Sequence, residues 1–233
     1  MTYFSKFPNI VITKNEVPYV IKDIVRRVVL TNRFEENSVV LDDYFVLDGE
    51  TPEMVSNKLY GTPLNHWIVL LANNITDPRE EWPIVNSAII DRVYLSYDFV
   101  IGVPSGAAYS TNDELLSSNG GKFVVSSKNG NTIYVRSQIG FINLTTSQTF
   151  TNLTTDTSGL VISSVTKPEN QVHHYYDTEL KCIVDYDAGN INLETVTNLE
   201  YENEVNDTKR TIKVLNPKLI TAFTKTFNRE LNK

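Results

Sequence analysis

Two threonine-proline pairs, Thr51-Pro52 and Thr62-Pro63, constrain this chain more than any other feature, because each marks where a helix must begin. The threonine hydroxyl can cap the first exposed amides. Proline at the first helical position loses no needed donor, and Glu53 lies near the positive end of the helix dipole. Val55 and Leu59 lie one turn apart on one face of the first helix, and Gly61 follows Tyr60 as a stop. The second helix carries Trp67, Ile68, Leu70 and Leu71, apolar on more than one face. It is therefore predicted to be largely buried, with Trp67 in the core, and Asn73-Asn74 ends it. A strand-like run from Asp43 to Leu47, closed by Asp48-Gly49, precedes both helices. Tyr44 to Pro83 thus reads as strand, turn, helix, tight turn, helix, loop.

At 233 residues the whole chain is long enough for one large domain or two small ones. An apolar fraction of 41% and a charged fraction of 21% suit a folded protein rather than a disordered tail. The net charge of −7 argues against nucleic acid as the main partner. Cys182 is the single cysteine, so no intrachain disulfide is possible and a reducing compartment is expected. No apolar run approaches a membrane span and no leader-like segment opens the chain. A soluble protein made in the cytoplasm is the expectation. The Asn-x-Thr triplets at Asn74, Asn143, Asn152 and Asn206 read as chance.

Residues 1–20 mix aromatics with Pro8 and Pro18, which excludes a long helix. They read as an arm over another surface or as a segment packed on the chain's own core. From Tyr19 to Leu30, Val20, Ile21, Ile24, Val25, Val28 and Val29 recur at helical spacing, with a strand ending possible near Arg27–Leu30. Arg26-Arg27 reads as an interface pair or a solvated face. Ala88 to Ile101 begins a region of different character. From Gly102 to about Leu193 the chain is rich in Ser, Thr, Asn and Gly, with β-prone runs at 122–126, 132–136, 159–165 and 181–186. Lys128-Asn129-Gly130-Asn131 is a hairpin signal. At the end, Asn216-Pro217 starts a helix whose stripe is Leu219, Ile220, Phe223, Phe227 and Leu231. From Lys209 onward seven basic residues face one acid, which leaves about −13 on the rest. The stripe needs a cover, either a neighbouring subunit or the chain's own acidic core.

The residues offer little chemistry. There is no phosphate loop, no His-Glu-x-x-His, no cysteine pair and no Gly-x-Ser-x-Gly. His173 and His174 are adjacent, so on a strand they point to opposite faces and could not easily share a metal. Asp42-Asp43, Glu80-Glu81 and Asp185/Asp187 read as surface acids, His66 as a polar edge of the core, and Cys182 as a small buried residue. No catalytic, cofactor-binding or metal-binding residue is expected.

Two resemblances add to this. Tyr44-x-Val46-x-x-Gly49-Glu50-Thr51, Leu59-Tyr60-Gly61, Trp67, Leu70 and Asn73-x-Ile75-x-Asp77-Pro78 resemble a LysM module. Arg79-Glu80-Glu81-Trp82-Pro83 stands where such a module has its closing Gly-x-x-Leu-x-Ile-Pro strand. More widely, Phe7-Pro8-Asn9-Ile10, Lys22 to Val28, Leu59 to Gly61, His66 to Leu71, Asp77-Pro78 and Trp82-Pro83 look like the baseplate wedge protein 53 family of T4-like contractile-tail phages. So do Tyr201-Glu202 and Asn206 to Leu215. The resemblance covers roughly 1–95 and 195–233. The fold class expected is α+β, a small LysM-like strand-helix-helix unit with a β-rich insertion and a C-terminal amphipathic helix. The boundaries are an N-terminal arm and helix or strand (1–40), the LysM-like module (41–87), a β-rich insertion (88–195), and a C-terminal strand and basic helix (196–233). The resemblance implies a non-enzymatic virion subunit in the tail baseplate, present in several copies. It would be held to other wedge subunits and in reach of the central hub, without membrane or nucleic acid. Phe7, Arg26, Arg27, Arg210, Leu219, Phe223, Phe227 and Leu231 are the expected partner contacts. The alternatives are a LysM-type module for peptidoglycan or chitin, lined by Asp48–Thr51 and Asn73–Asp77, or a glycan-degrading enzyme that carries one.

Overall fold

A computed structural model describes residues 6–24, 40–138 and 144–231. The chain divides into two compact units, one of Met1–Val85 with Asn206–Lys233, the other of Asn86–Val205. Both helices and strands build it, as an α+β chain requires.

In the first unit, β1 (Asn9–Lys14) and β2 (Val17–Lys22) form an antiparallel hairpin. Asn15 and Glu16 turn it with φ of +51° and +64°, the two positive angles that a two-residue turn demands. Residues 19–22, expected at helical spacing, are therefore strand. Their β-branched side chains fit a pleated ribbon as well as a helix face, and the turn decides between them. The rest of the expected helix, with Arg26 and Arg27, lies outside the described residues.

The next element is β3 (Leu41–Phe45), followed by α1 (Pro52–Tyr60), a short 3₁₀ turn (Pro63–Asn65) and α2 (His66–Ala72). The helix starts are where the Thr-Pro pairs put them. Thr51 accepts from the Met54 amide, Thr62 from the Leu64 amide, and Gly61 ends α1 at φ +69°. A one-turn helix, α3 (Pro78–Glu81), occupies the place of the expected closing strand, capped by Asp77. The strand that pairs with β3 comes instead from the far end of the chain, as β14 (Thr211–Leu215). Thr211 lies opposite Phe45 and Leu215 opposite Leu41. Ile212 and Val214 face inward and pack with Val46, Val55, Val69 and Trp82. A second cluster joins Phe7, Leu41, Trp67, Ile68, Ala72 and Leu215 to the last helix, α6 (Ile220–Leu231).

The second unit opens with α4 (Asn86–Val93) and then a seven-stranded antiparallel sheet. Its strands are β4 (Phe99–Gly102), β5 (Glu114–Ser117), β6 (Lys122–Asn129), β7 (Thr132–Ser137), β8 (Thr149–Asn152), β9 (Thr157–Val161) and β10 (Ser164–Thr166). Their order is β10-β4-β7-β6-β5-β8-β9. The Asn129-Gly130 signal is the β6–β7 turn, with Gly130 at φ +54°. Alternate residues of these strands, among them Leu115, Phe123, Val125, Ile133, Val135 and Phe150, fill one core. A three-stranded sheet follows, in the order β12 (Cys182–Val184), β11 (Val172–Asp177), β13 (Leu193–Thr197). α5 (Asn198–Thr208), which the sequence reading omits, begins on a reciprocal cap: the Thr197 amide donates to Glu200 and the Glu200 amide to Thr197 Oγ1.

Candidate functional site

The two segments expected to line a sugar groove are filled by the chain itself. The Glu50 carboxylate accepts from the Leu47 amide at 2.9 Å, the Tyr44 hydroxyl at 2.9 Å and Lys58 Nζ at 3.2 Å. Burial pushes the Glu50 carboxyl up, but those three donors outweigh it and hold the group below its usual range. The Trp82 indole donates to the Glu50 carbonyl at 2.8 Å and is buried against the same turn. On the other segment, Glu81 accepts from the amides of Thr76 and Asp77 and from the Thr76 hydroxyl, which lowers its carboxyl as well.

Arg210, an expected partner contact, is 5% exposed and works inside the fold. Its guanidinium donates to the Val46 carbonyl at 3.3 Å, to Asp48 at 3.1 Å and to Asp207 at 3.2 Å. One residue before β14, it ties that strand to the turn after β3. A buried cation with several acceptors satisfies its charge where a lone one could not.

The C-terminal stripe is covered by its own chain. Phe227 and Leu231 are buried, while Leu219, Ile220 and Phe223 pack beside them. The Trp67 ring lies 4.6 Å from Phe227 and 6.3 Å from Phe223 between centroids, and Lys6 Nζ sits 3.9 Å above it. Phe7 belongs to the same cluster. Five of the expected contact residues, Phe7, Leu219, Phe223, Phe227 and Leu231, thus meet in one apolar cluster rather than against acidic side chains.

In the second unit the two histidines depart from expectation. The β11–β13 register shifts between Val172 and His174, so His173 is the extra residue of a β-bulge. Both rings then turn to one side. Their Nδ1 atoms lie 2.8 Å apart, and the His173 ring stacks on Tyr201 at 3.8 Å. Burial, then the neighbouring His174, lowers the His173 imidazole. Beside them a cleft of about 190 Å³ is lined by Arg92, Tyr97, Asn198 and Glu202 among others, with an Arg92–Glu202 ion pair at 3.2 Å. It falls short of the roughly 300 Å³ at which small-molecule sites begin.

Cys182 is exposed on strand β12, not buried as its apolar neighbours suggested; Ile183 beside it is 66% exposed. The acid pairs are on the surface: Asp42 and Asp43, Glu80 and Glu81, and Asp185 and Asp187 are all exposed. Asp43 pairs with Lys213 across the β3–β14 ladder at 2.5 Å. Among the described residues no group of three or more His, Cys, Asp or Glu is placed to hold a metal. None of their helices is long and apolar enough to cross a membrane.

The signals that the sequence reading passed over are short ones. Thr197-x-x-Glu200 is a capping box, and Asn15-Glu16 between two β-branched runs is a hairpin turn.

No curated protein matches the chain. A family does match: it is described as base plate wedge protein 53 and covers residues 2–123, which includes the first strands of the large sheet and stops before the C-terminal segment that also carried the resemblance. With more than half of its length matched, the chain belongs to the base plate wedge protein 53 family.

Proposed function

We propose that the chain is a non-enzymatic subunit of a phage contractile-tail baseplate wedge, and that it joins neighbouring wedge proteins, with the central hub in reach, by protein–protein contacts. The observation that carries this reading is the apolar surface left on ordered strands. In the second unit Leu180, Ile183 and Tyr186 are 65–68% exposed around the edge strand β12. An edge strand that presents such residues is a template for pairing with another chain. The carboxylates, by contrast, serve as caps and ion pairs, a structural use. Co-expression with the other wedge subunits of the same phage tests the proposal: the chain should co-purify in a defined complex. Recovery of the other subunits as complete wedges without it would overturn the reading.

A LysM-type sugar site has one observation in its favour. β3 and β14 bracket α1 and α2, so the strand missing after α2 in sequence is supplied from residues 211–215. The segments that would form the groove are nevertheless occupied by Trp82, Glu81 and Arg210. We therefore read this unit as scaffold, since a likeness of fold does not carry function. Calorimetry with chitin oligomers should show no binding at millimolar ligand; a micromolar dissociation constant, about −8 kcal/mol, would restore the sugar reading.

A further inference from the structure

We propose that the β1–β2 hairpin is an insertion element, received into an apolar, two-walled cleft of another baseplate subunit. This rests on the wedge reading above and names the contact.

The ribbon is two-stranded, and it exposes apolar side chains on both of its faces. Cross-strand partners share a face, so the register sorts them. Ile12, Val17, Tyr19 and Ile21 stand on one face, each 40–49% exposed. Val11 and Val20 oppose each other on the other face, 66% and 69% exposed. A hairpin with one face in water alternates apolar and polar residues; a continuous apolar run belongs to a strand covered on both sides. A free two-stranded ribbon is also marginal in water.

The edges differ too. In a hairpin with a two-residue turn the pair beside the turn is hydrogen-bonded, and the pairs alternate from there. Asn9, Val11 and Thr13 therefore aim their amides and carbonyls outward from β1. On β2 the corresponding outward position nearest the turn is Pro18, which has no amide to offer. A partner strand adds to the β1 edge.

Exposure on both faces decides the occupant. At roughly 25 cal/mol per Å², and 1.5–3 kcal/mol for a buried Val or Ile, a fully exposed side chain offers on the order of 90 Å². The six residues at their exposures then offer roughly 300 Å², split between opposite faces. A stable dimer buries about 800 Å² per partner. These six side chains alone fall short of that for any partner, and a second copy stacked on one face leaves the other face in water. Only a partner that closes over both faces and pairs with the edge accounts for the pattern. The base of the ribbon is anchored by Lys22 Nζ donating to the carbonyl of the buried Phe7 at 2.7 Å.

The test uses the full chain co-expressed with the other wedge subunits. Tyr19→Lys with Ile12→Lys alters one face, Val11→Lys with Val20→Lys the other, and Leu95→Lys with Leu153→Lys, exposed in the second unit away from the β12 edge, serves as a control. Each hairpin variant should melt within a degree or two of wild type, since the residues are exposed, and should lose at least tenfold in recovery with the wedge. The control should retain hairpin-dependent assembly. If both hairpin variants assemble like wild type, the insertion is overturned while the wedge reading stands. Loss from one face only shows one-sided docking and overturns the enclosure. A wild-type chain that is dimeric alone, with monomeric hairpin variants, assigns the ribbon to a second copy instead. A wild-type chain that joins no wedge ends both readings.

Discussion

The Asn73 carboxamide closes both backbone hydrogen bonds of Lys213, accepting from its amide and donating to its carbonyl, each at 2.7 Å and 140 residues apart in sequence. Asn73 thus acts as a one-residue strand beside β14. Asn206 repeats the device on Ile84, accepting from its amide at 2.8 Å and donating to its carbonyl at 3.0 Å. Together the two side chains fasten the C-terminal segment to the N-terminal part of the first unit. Asn73→Ala leaves the backbone of Lys213 without these partners and should cost about 1–3 kcal/mol. At this chain length that is a fall in Tm of roughly 2–4 °C per kcal/mol, read by calorimetry. Asn206→Ala, at a position only 4% exposed, should cost as much or more.

The C-terminal helix should behave as core in the isolated chain. Phe227→Ala and Trp67→Ala each remove a buried ring from the same cluster, and each should destabilise by roughly 3–5 kcal/mol. Their effects should be non-additive, because the rings touch. A double-mutant cycle in urea checks this. Additive losses would mean that the contact carries no energy of its own.

Stability should fall on the acid side in two steps. His173 is held below its ordinary value, so the fold favours the neutral ring. Its contribution is full above about pH 6.5 and is lost as pH drops through the lower folded value. The facing Nδ1 atoms need one donor and one acceptor, so two imidazolium rings cannot keep the contact. Glu50 and Glu81 lie below the usual carboxylate range; their contribution is present above about pH 4 and is lost as pH falls further. His173→Gln should flatten the melting profile between pH 7 and pH 5, and Glu50→Gln the limb below that.

Cys182 should react in the native protein. Its side chain is exposed on strand β12, so a thiol reagent should label it stoichiometrically without denaturant. Labelling only after unfolding would place the thiol inside.

What the sequence made legible was local. The two Thr-Pro starts, the Gly61 stop, the Asn129-Gly130 turn and the Asn216-Pro217 start each depend on a few neighbouring residues. Pairings across long separations left no such trace. Nothing near Leu41–Phe45 indicates that its partner is Thr211–Leu215, and nothing near Phe227 indicates Trp67. For that reason the stripe on the last helix reads equally well as a surface for a neighbour. The hairpin was hidden by its own composition, since Val20, Ile21 and Ile24 satisfy a helical spacing and a pleated one. At His173 a single inserted residue reversed a facing argument that holds for regular strands.

The most direct measurement is a reconstruction of the intact tail in which this chain is traced. The account places it in the baseplate wedge, with residues of another subunit against both faces of Asn9–Lys22 and a strand along the β1 edge. A chain absent from the baseplate, or present there with the hairpin in open solvent, would contradict it.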